Sequence, residues 1–97
     1  MRKAYLFVYS DLVGTREQVR DILDTMPEVI TWRYDLPNCF YIISEAAAET
    51  ISEQFRAKRG DVGRWIFSEV TDNKQGFLLK ETWFLLNNKS HFPTPKS

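Results

Sequence analysis

The apolar stretch at residues 4–9 constrains the fold more than any other part of the sequence. Its six residues are all apolar or aromatic, and it ends at the polar pair Ser10 and Asp11. A short continuous run of this kind is typical of a central β-strand that is covered on both faces. The run is too short for a membrane span or for the hydrophobic core of a signal peptide, so we expect a cytoplasmic protein without membrane contact.

Residues 15–26 have the pattern of an amphipathic helix. Four apolar residues recur at the spacing of one helical face, namely Val19, Ile22, Leu23 and Met26. Thr15 and Gln18 stand three residues apart, which is the arrangement of a capping box, and Pro27 follows the last turn. The sequence therefore predicts a helix that lays its apolar face on the neighbouring strands.

The order of the remaining segments predicts the fold class. Further strands are expected at residues 29–34, 39–43 and 64–70, and a second helix at residues 44–58. Turn chemistry at residues 35–38 joins the first two of these strands as a hairpin. Right-handed crossovers then give a ferredoxin-like α+β domain (β-α-β-β-α-β), with a four-stranded antiparallel sheet and both main helices on one face.

The C-terminal quarter of the chain extends this domain. Residues 77–79 are predicted as a short strand or an extended link, and residues 80–87 as a short helix. From residue 88 the sequence is polar and contains prolines. We therefore expect one domain over residues 1–87 and a flexible polar tail over residues 88–97.

Composition narrows the functional classes. The 13 Lys and Arg residues balance the 13 Asp and Glu residues, so net charge offers no general attraction to nucleic acid, although it leaves room for a local basic patch. The single cysteine, Cys39, lies in an apolar run and is expected to be a buried structural thiol. With His91 as the only histidine, the sequence argues against a disulfide, a Cys-based metal site or a His-based catalytic cluster within one chain.

Both faces of the predicted sheet are apolar or aromatic, although two helices can cover only one of them. The uncovered face needs a partner, and we expect a second copy of the chain. The residues predicted for this homodimer interface are Tyr5, Phe7, Tyr9, Trp32, Tyr41 and Trp65.

Two other ways of covering the open face remain. One is nucleic acid stacked on aromatic side chains, although residues 38–43 lack the glycine and the leading basic residue of RNA-recognition sheets. The other is the chain's own C-terminal helix, through Trp83 and Phe84, or a small ligand that the protein would sense.

Asp11 is the candidate catalytic and metal-binding residue. It follows the first strand directly, and its carboxylate could help to hold a divalent cation such as Mg²⁺ or Mn²⁺. In a twofold dimer the two copies of Asp11 would combine into one site. The alternative is a turn aspartate that accepts hydrogen bonds from nearby amides.

Seven basic residues are candidates for contacts to nucleic-acid phosphates. They are Arg16, Arg20, Arg33, Arg56, Lys58, Arg59 and Arg64, the last four forming the densest basic stretch of the chain. The alternative reading is ordinary solvated surface charge.

Three segments together resemble the SinR-like family of small bacterial proteins. They are the first strand with Ser10 and Asp11, the hairpin from Trp32 to Ile43, and residues 76–85 with the sequence GFLLKETWFL. The resemblance spans residues 4–87. The family is related to the compact ferredoxin-like endonucleases of CRISPR adaptation and to virulence-associated protein D.

This resemblance implies a homodimer whose sheets pack face to face. It also implies either a nucleic-acid-associated or interaction module, or a metal-dependent nuclease with an aspartate at the end of the first strand. In this sequence Ser10 stands at that position and Asp11 one residue later. A shift of one residue turns a side chain to the opposite face of a strand, so the metal-binding role does not carry over directly.

Overall fold

Four strands and three α-helices make up the protein, which the computed structural model describes for residues 1–91. In chain order they are β1 (Lys3–Tyr9), α1 (Arg16–Asp24), β2 (Thr31–Arg33), β3 (Cys39–Ser44), α2 (Ala48–Arg59), β4 (Trp65–Val70) and α3 (Lys80–Asn88). A single 3-10 turn, Asp11–Val13, links β1 to α1.

The sheet has the strand order β2-β3-β1-β4, and all neighbouring strands are antiparallel. β1 pairs with β3 from Lys3↔Ser44 to Val8↔Cys39, and with β4 from Ala4↔Val70 to Tyr9↔Trp65. This confirms the predicted α+β class, the four-stranded antiparallel sheet and the central position of the first strand. The arrangement is compatible with a ferredoxin-like fold.

The main core lies between one face of the sheet and the helices α1 and α2. Alternate residues of β1 point into it, and the ring of Phe7 stacks on that of Phe67 with 4.1 Å between the centroids. Phe55 of α2 meets Phe7 edge to face at 4.9 Å. Val19 and Leu23 supply the buried face of α1, as the spacing of its apolar residues predicts.

The start of α1 is fixed by the capping box that the sequence predicts. The Thr15 hydroxyl accepts a hydrogen bond from the backbone N–H of Gln18 at 3.2 Å. In return the Gln18 side-chain oxygen accepts from the backbone N–H of Thr15 at 2.9 Å. Two amides that lack partners within the helix are thereby satisfied, and the helix begins at Arg16.

The second face of the sheet is partly covered by α3. Leu85 and Leu86 of this helix pack with Ala4, Tyr41 and Ile43 in a separate apolar cluster. At the end of the helix, the Arg2 guanidinium donates a hydrogen bond to the Lys89 carbonyl at 3.1 Å. The chain's own C-terminal helix, one of the predicted alternatives, therefore supplies part of the cover, and it does so mainly through Leu85 and Leu86, with Trp83 packed beside them.

Several predicted boundaries differ from the structure. The second helix begins at Ala48 rather than at residue 44, because Ser44 completes β3 and its hydroxyl accepts from the Ala46 amide at 3.0 Å. β2 has only three residues, Thr31–Arg33, and lies at the edge of the sheet, where it pairs only with β3. Within residues 1–91, the stretch 77–79 forms no strand and leads directly into α3.

The predicted tail begins inside a helix. Asn88 is the last residue of α3, and the side chain of His91 contacts the hydroxyl of Thr31, the first residue of β2. Residues 92–97 lie outside the described part of the chain. No helix within residues 1–91 combines the length and the apolar character that crossing a membrane requires.

Candidate nucleic-acid interface

Three chain segments meet at the end of the sheet where β1 finishes. The Ser10 amide donates to the Arg64 carbonyl at 2.9 Å, and the Arg64 amide donates to the Ser10 hydroxyl at 2.9 Å. From the last turn of α2, the Arg59 guanidinium donates to the Val13 carbonyl. The 3-10 turn after β1 is thus held by the loop that precedes β4 and by the end of α2.

Gly63 makes this close approach possible. Its φ is +75°, a backbone conformation that residues other than glycine rarely adopt. A Cβ at this position would lie 2.8 Å from the Ser10 hydroxyl oxygen and 2.8 Å from a methyl group of Val13. Any larger residue here would push the two loops apart.

The contact between these loops concentrates positive charge. We call the cations of segments 10–17 and 56–64 the basic end: Arg16, Arg56, Lys58, Arg59 and Arg64. The same two segments carry three carboxylates, those of Asp11, Glu17 and Asp61, so their net charge is 5 − 3 = +2. Because the whole chain is neutral, the remaining residues carry 8 − 10 = −2. These two segments are therefore more basic than the rest of the chain.

The members of the basic end differ in how far their charge is compensated. Arg56 makes two hydrogen bonds to Asp61, at 2.5 and 3.1 Å, and these lower the pKa of the Asp61 carboxyl. Arg16 lies over the ring of Tyr34, with its guanidinium carbon 4.2 Å from the centroid. In residues 1–91, Lys58, Arg59 and Arg64 take part in no ion pair, so their charges are available to an anionic ligand.

Two of the seven predicted phosphate contacts lie away from this surface. Arg20 bonds the adjacent Asp21 on the exposed side of α1. Arg33 lies under α3, where its Nε donates to the Thr82 hydroxyl at 2.8 Å and its guanidinium is 3.9 Å from Glu81. Arg33 thus serves to anchor a helix, which the linear sequence did not reveal.

Asp11 is exposed and belongs to the turn that the loop before β4 and the end of α2 hold in place. It opens the 3-10 turn, and its carboxylate accepts a hydrogen bond from the Asn38 side-chain amide at 2.7 Å. No group of three or more His, Cys, Asp or Glu side chains that could hold a metal ion occurs in the described residues. Within a single described chain, Asp11 therefore has the partner of a loop-stabilising residue.

The aromatic residues predicted for the dimer interface pack inside the chain's own apolar clusters. Tyr5, Phe7 and Tyr9 are buried under α1 and α2, and Tyr41 is buried under α3. Trp32 and Trp65 pack at the margins of the main core. The predicted set mixes the two faces of the sheet, because Tyr41 pairs with Leu6 and therefore lies on the face opposite to Tyr5. Alternation separates the two sides of one strand, but only the pairing register and the packed helices show which residues share a face and which face is covered. The uncovered half of the second face instead presents Val8 and Ile66, which are cross-strand neighbours.

A polar network that the sequence analysis missed fastens α3 to the sheet. The Asp35 carboxylate accepts hydrogen bonds from the Tyr41 hydroxyl at 2.8 Å, the Thr82 hydroxyl at 2.6 Å and the Leu79 amide at 3.3 Å. Burial, followed by the hydrogen bond to Asp35, raises the pKa of the Tyr41 phenol. A threonine on the inner side of a predicted apolar helix was the signal that could have indicated this network.

Cys39 is buried, as predicted. Burial, together with the nearby charge of Asp35, raises the pKa of its thiol to about 11. The group is therefore protonated at neutral pH, and a protonated buried thiol is a poor nucleophile and a poor metal ligand.

An open groove of about 430 Å³ lies between α2 and the start of β4, beside the basic end. It is lined by Ser52, Glu53, Arg56, Asp61, Gly63, Arg64 and Trp65.

Comparison of the chain with protein-family models, with curated proteins and with solved structures finds no match.

Proposed function

We propose that the protein is a ferredoxin-like, homodimeric module that binds nucleic acid, with the basic end as its phosphate-contacting surface. The observation that carries the proposal is that the Arg59 side chain and the Arg64 backbone both bond the segment that turns after β1, while Lys58, next to Arg59, is exposed. These three charges have no carboxylate partner among the described residues. Uncompensated Lys and Arg side chains on one surface are the usual electrostatic basis of phosphate recognition.

The local charge suits a short contact with a phosphate backbone. Arg59 is fixed by its bond to Val13, which holds the last turn of α2 against the 3-10 turn. Lys58 precedes Arg59 in the sequence and Arg64 follows it, and both side chains are exposed. A surface with so few free cations would contact only a few phosphates, so we expect modest affinity and a moderate dependence on salt.

Replacing both Lys58 and Arg64 with glutamine tests the phosphate contacts. We expect the wild-type protein to bind a fluorescein-labelled 12-nucleotide RNA or DNA strand in 50 mM salt, as measured by fluorescence anisotropy. The double variant should bind several-fold more weakly. Its plot of log K against log salt should be flatter by about one unit for each lost contact, because fewer counterions are released.

The matched control is Lys74→Gln, which removes a cation from the turn after β4, at the opposite end of the sheet. This variant should bind like the wild type. Failure of the wild type to bind any strand in 50 mM salt, or equal binding by the double variant, would contradict the phosphate-contacting role.

The same samples test the alternative activity, a metal-dependent nuclease. The favouring observation is that exposed Asp11 lies within the surface that would hold the strand. In this alternative, Asp11 from each chain of a dimer would hold Mg²⁺ or Mn²⁺, and strand cleavage with these ions would vanish in Asp11→Asn. Strands that stay intact with both proteins leave binding as the function.

The homodimer is proposed to form through the uncovered half of the second face. Val8 and Ile66 form a cross-strand pair there, and their side chains remain 40% and 60% exposed. Exposed apolar side chains on a sheet face are a common basis for self-association.

Ile66→Lys should therefore convert a dimer into a monomer without loss of the fold, since Ile66 lies outside the buried core. Sedimentation equilibrium measures the mass, and circular dichroism checks the fold. Leu12→Lys is the matched control, because Leu12 is also exposed but belongs to the 3-10 turn rather than to the sheet face. A wild-type monomer, or a variant that remains dimeric, would refute this interface.

A further inference from the structure

The groove between α2 and β4 contains an aromatic ring that is held in one position. The Trp65 indole N–H donates to the Ser52 hydroxyl at 3.1 Å. Its ring meets Phe55 edge to face, with 5.1 Å between the centroids and 74° between the planes. Trp65 nevertheless remains partly exposed and lines the groove. A ring fixed in this way loses little conformational freedom when a flat ligand stacks on it.

The groove overlaps the basic end at Arg56 and Arg64, but its lining also carries two carboxylates. The carboxylates are those of Glu53 and Asp61, so the four charged side chains that line the groove sum to zero. Arg56 and Asp61 are paired with each other. Because Asp61 already engages Arg56, a concavity of this kind suits an uncharged polar ring, and Arg64 is the lining cation that is left for a phosphate.

Arg64 joins the two regions. It immediately precedes Trp65 in the chain, and its guanidinium bonds only the neighbouring Gly63 carbonyl among the described residues. Its remaining N–H donors can therefore reach a phosphate while a base occupies the groove. Proteins that bind single strands commonly combine a basic surface with an aromatic ring on which a base stacks.

We propose that the groove is a base-binding subsite: one unpaired base of a single-stranded nucleic acid stacks on Trp65 while its flanking phosphate contacts Arg64. This inference rests on the proposed nucleic-acid binding and makes it more specific. It predicts that the bases, and not only the phosphates, contribute to affinity. It also predicts a preference for single strands, because bases within a duplex cannot reach the groove.

The first test uses the wild-type protein alone. A labelled 12-nucleotide DNA strand is compared with an abasic strand of the same length and charge, and with the matching duplex, by anisotropy in 50 mM salt. Loss of stacking of one base should weaken binding by about tenfold. We therefore expect both the abasic strand and the duplex to bind about tenfold more weakly than the normal strand.

The second test assigns the effect to the tryptophan. Trp65→Leu should weaken binding of the normal strand by about the same factor and leave binding of the abasic strand unchanged. Trp65→Phe, which keeps an aromatic ring, should retain most of the affinity for the normal strand. Circular dichroism confirms that both variants fold.

The outcomes separate this inference from the function on which it rests. If normal and abasic strands bind equally and the Lys58 and Arg64 replacements still weaken both, the base-binding subsite is refuted and phosphate binding stands. A duplex that binds as tightly as the single strand also refutes the subsite. If the wild type binds none of the three, the proposed function itself fails.

Discussion

Phe7→Ala should lower the free energy of unfolding by about 3–5 kcal/mol, the usual cost of removing a buried phenylalanine ring. Phe7 is 0% exposed and lies on the central strand. Its ring contacts those of Tyr9, Phe55 and Phe67, with centroid separations of 5.3, 4.9 and 4.1 Å. Truncation leaves a cavity next to β3, β4 and α2. These elements cannot move in to fill it, because β3 and β4 are held by their hydrogen bonds to β1 and α2 is held by its packing on the sheet.

A loss of this size matters in a small domain, whose total stability is about 5–15 kcal/mol. Urea unfolding followed by circular dichroism measures the change. Phe77→Ala is the matched control, since Phe77 is fully exposed in the link before α3 and its removal should alter stability by no more than about 0.5 kcal/mol. Similar unfolding midpoints for the two variants would show that Phe7 does not organise the core.

Asp35→Ala should cost about 2–4 kcal/mol and loosen α3. The carboxylate accepts hydrogen bonds from the hydroxyls of Tyr41 and Thr82, which are 2% and 0% exposed. Without it, two buried hydroxyls lose their acceptor, and each donor left unsatisfied costs about 1–3 kcal/mol. The Leu79 amide at the start of α3 also loses its partner.

Urea unfolding gives the overall cost, and hydrogen exchange of the α3 amides shows where it falls. Asp21→Ala serves as the comparison, because Asp21 makes only an exposed ion pair with Arg20, and such pairs contribute about 0–1 kcal/mol. Unchanged protection of the α3 amides in Asp35→Ala would mean that the network does not hold the helix.

Local patterns in the sequence predict the elements of this fold well. The capping box of Thr15 and Gln18 and the apolar spacing of α1 depend only on neighbouring residues, and both are present in the structure. The limits of β2 and α2 were harder to predict. Whether Tyr34 or Ser44 continues a strand depends on pairing with another part of the chain, which a local pattern does not contain.

The candidate site was only partly foreseeable for the same reason. The stretch from Arg56 to Arg64 stands out in the sequence as basic, but its contact with Ser10 follows from the pairing of β1 with β4. Arg33 has the same charge as Arg64, yet Thr82 and Glu81 engage it. Trp65 was assigned to a dimer interface because alternation alone cannot show that α2 packs beside it.

The central place of β1 also bears on how the protein forms during synthesis. β1 leaves the ribosome before its two partners, β3 and β4, and the second of these ends at Val70. At a translation rate of about 5–20 residues per second, the aromatic first strand waits for seconds before both its edges are paired. Cover for the second face comes later still, with α3. The nascent chain thus passes through a stage in which its aromatic first strand has open edges, and this is a stage at which a chaperone would have apolar surface to bind.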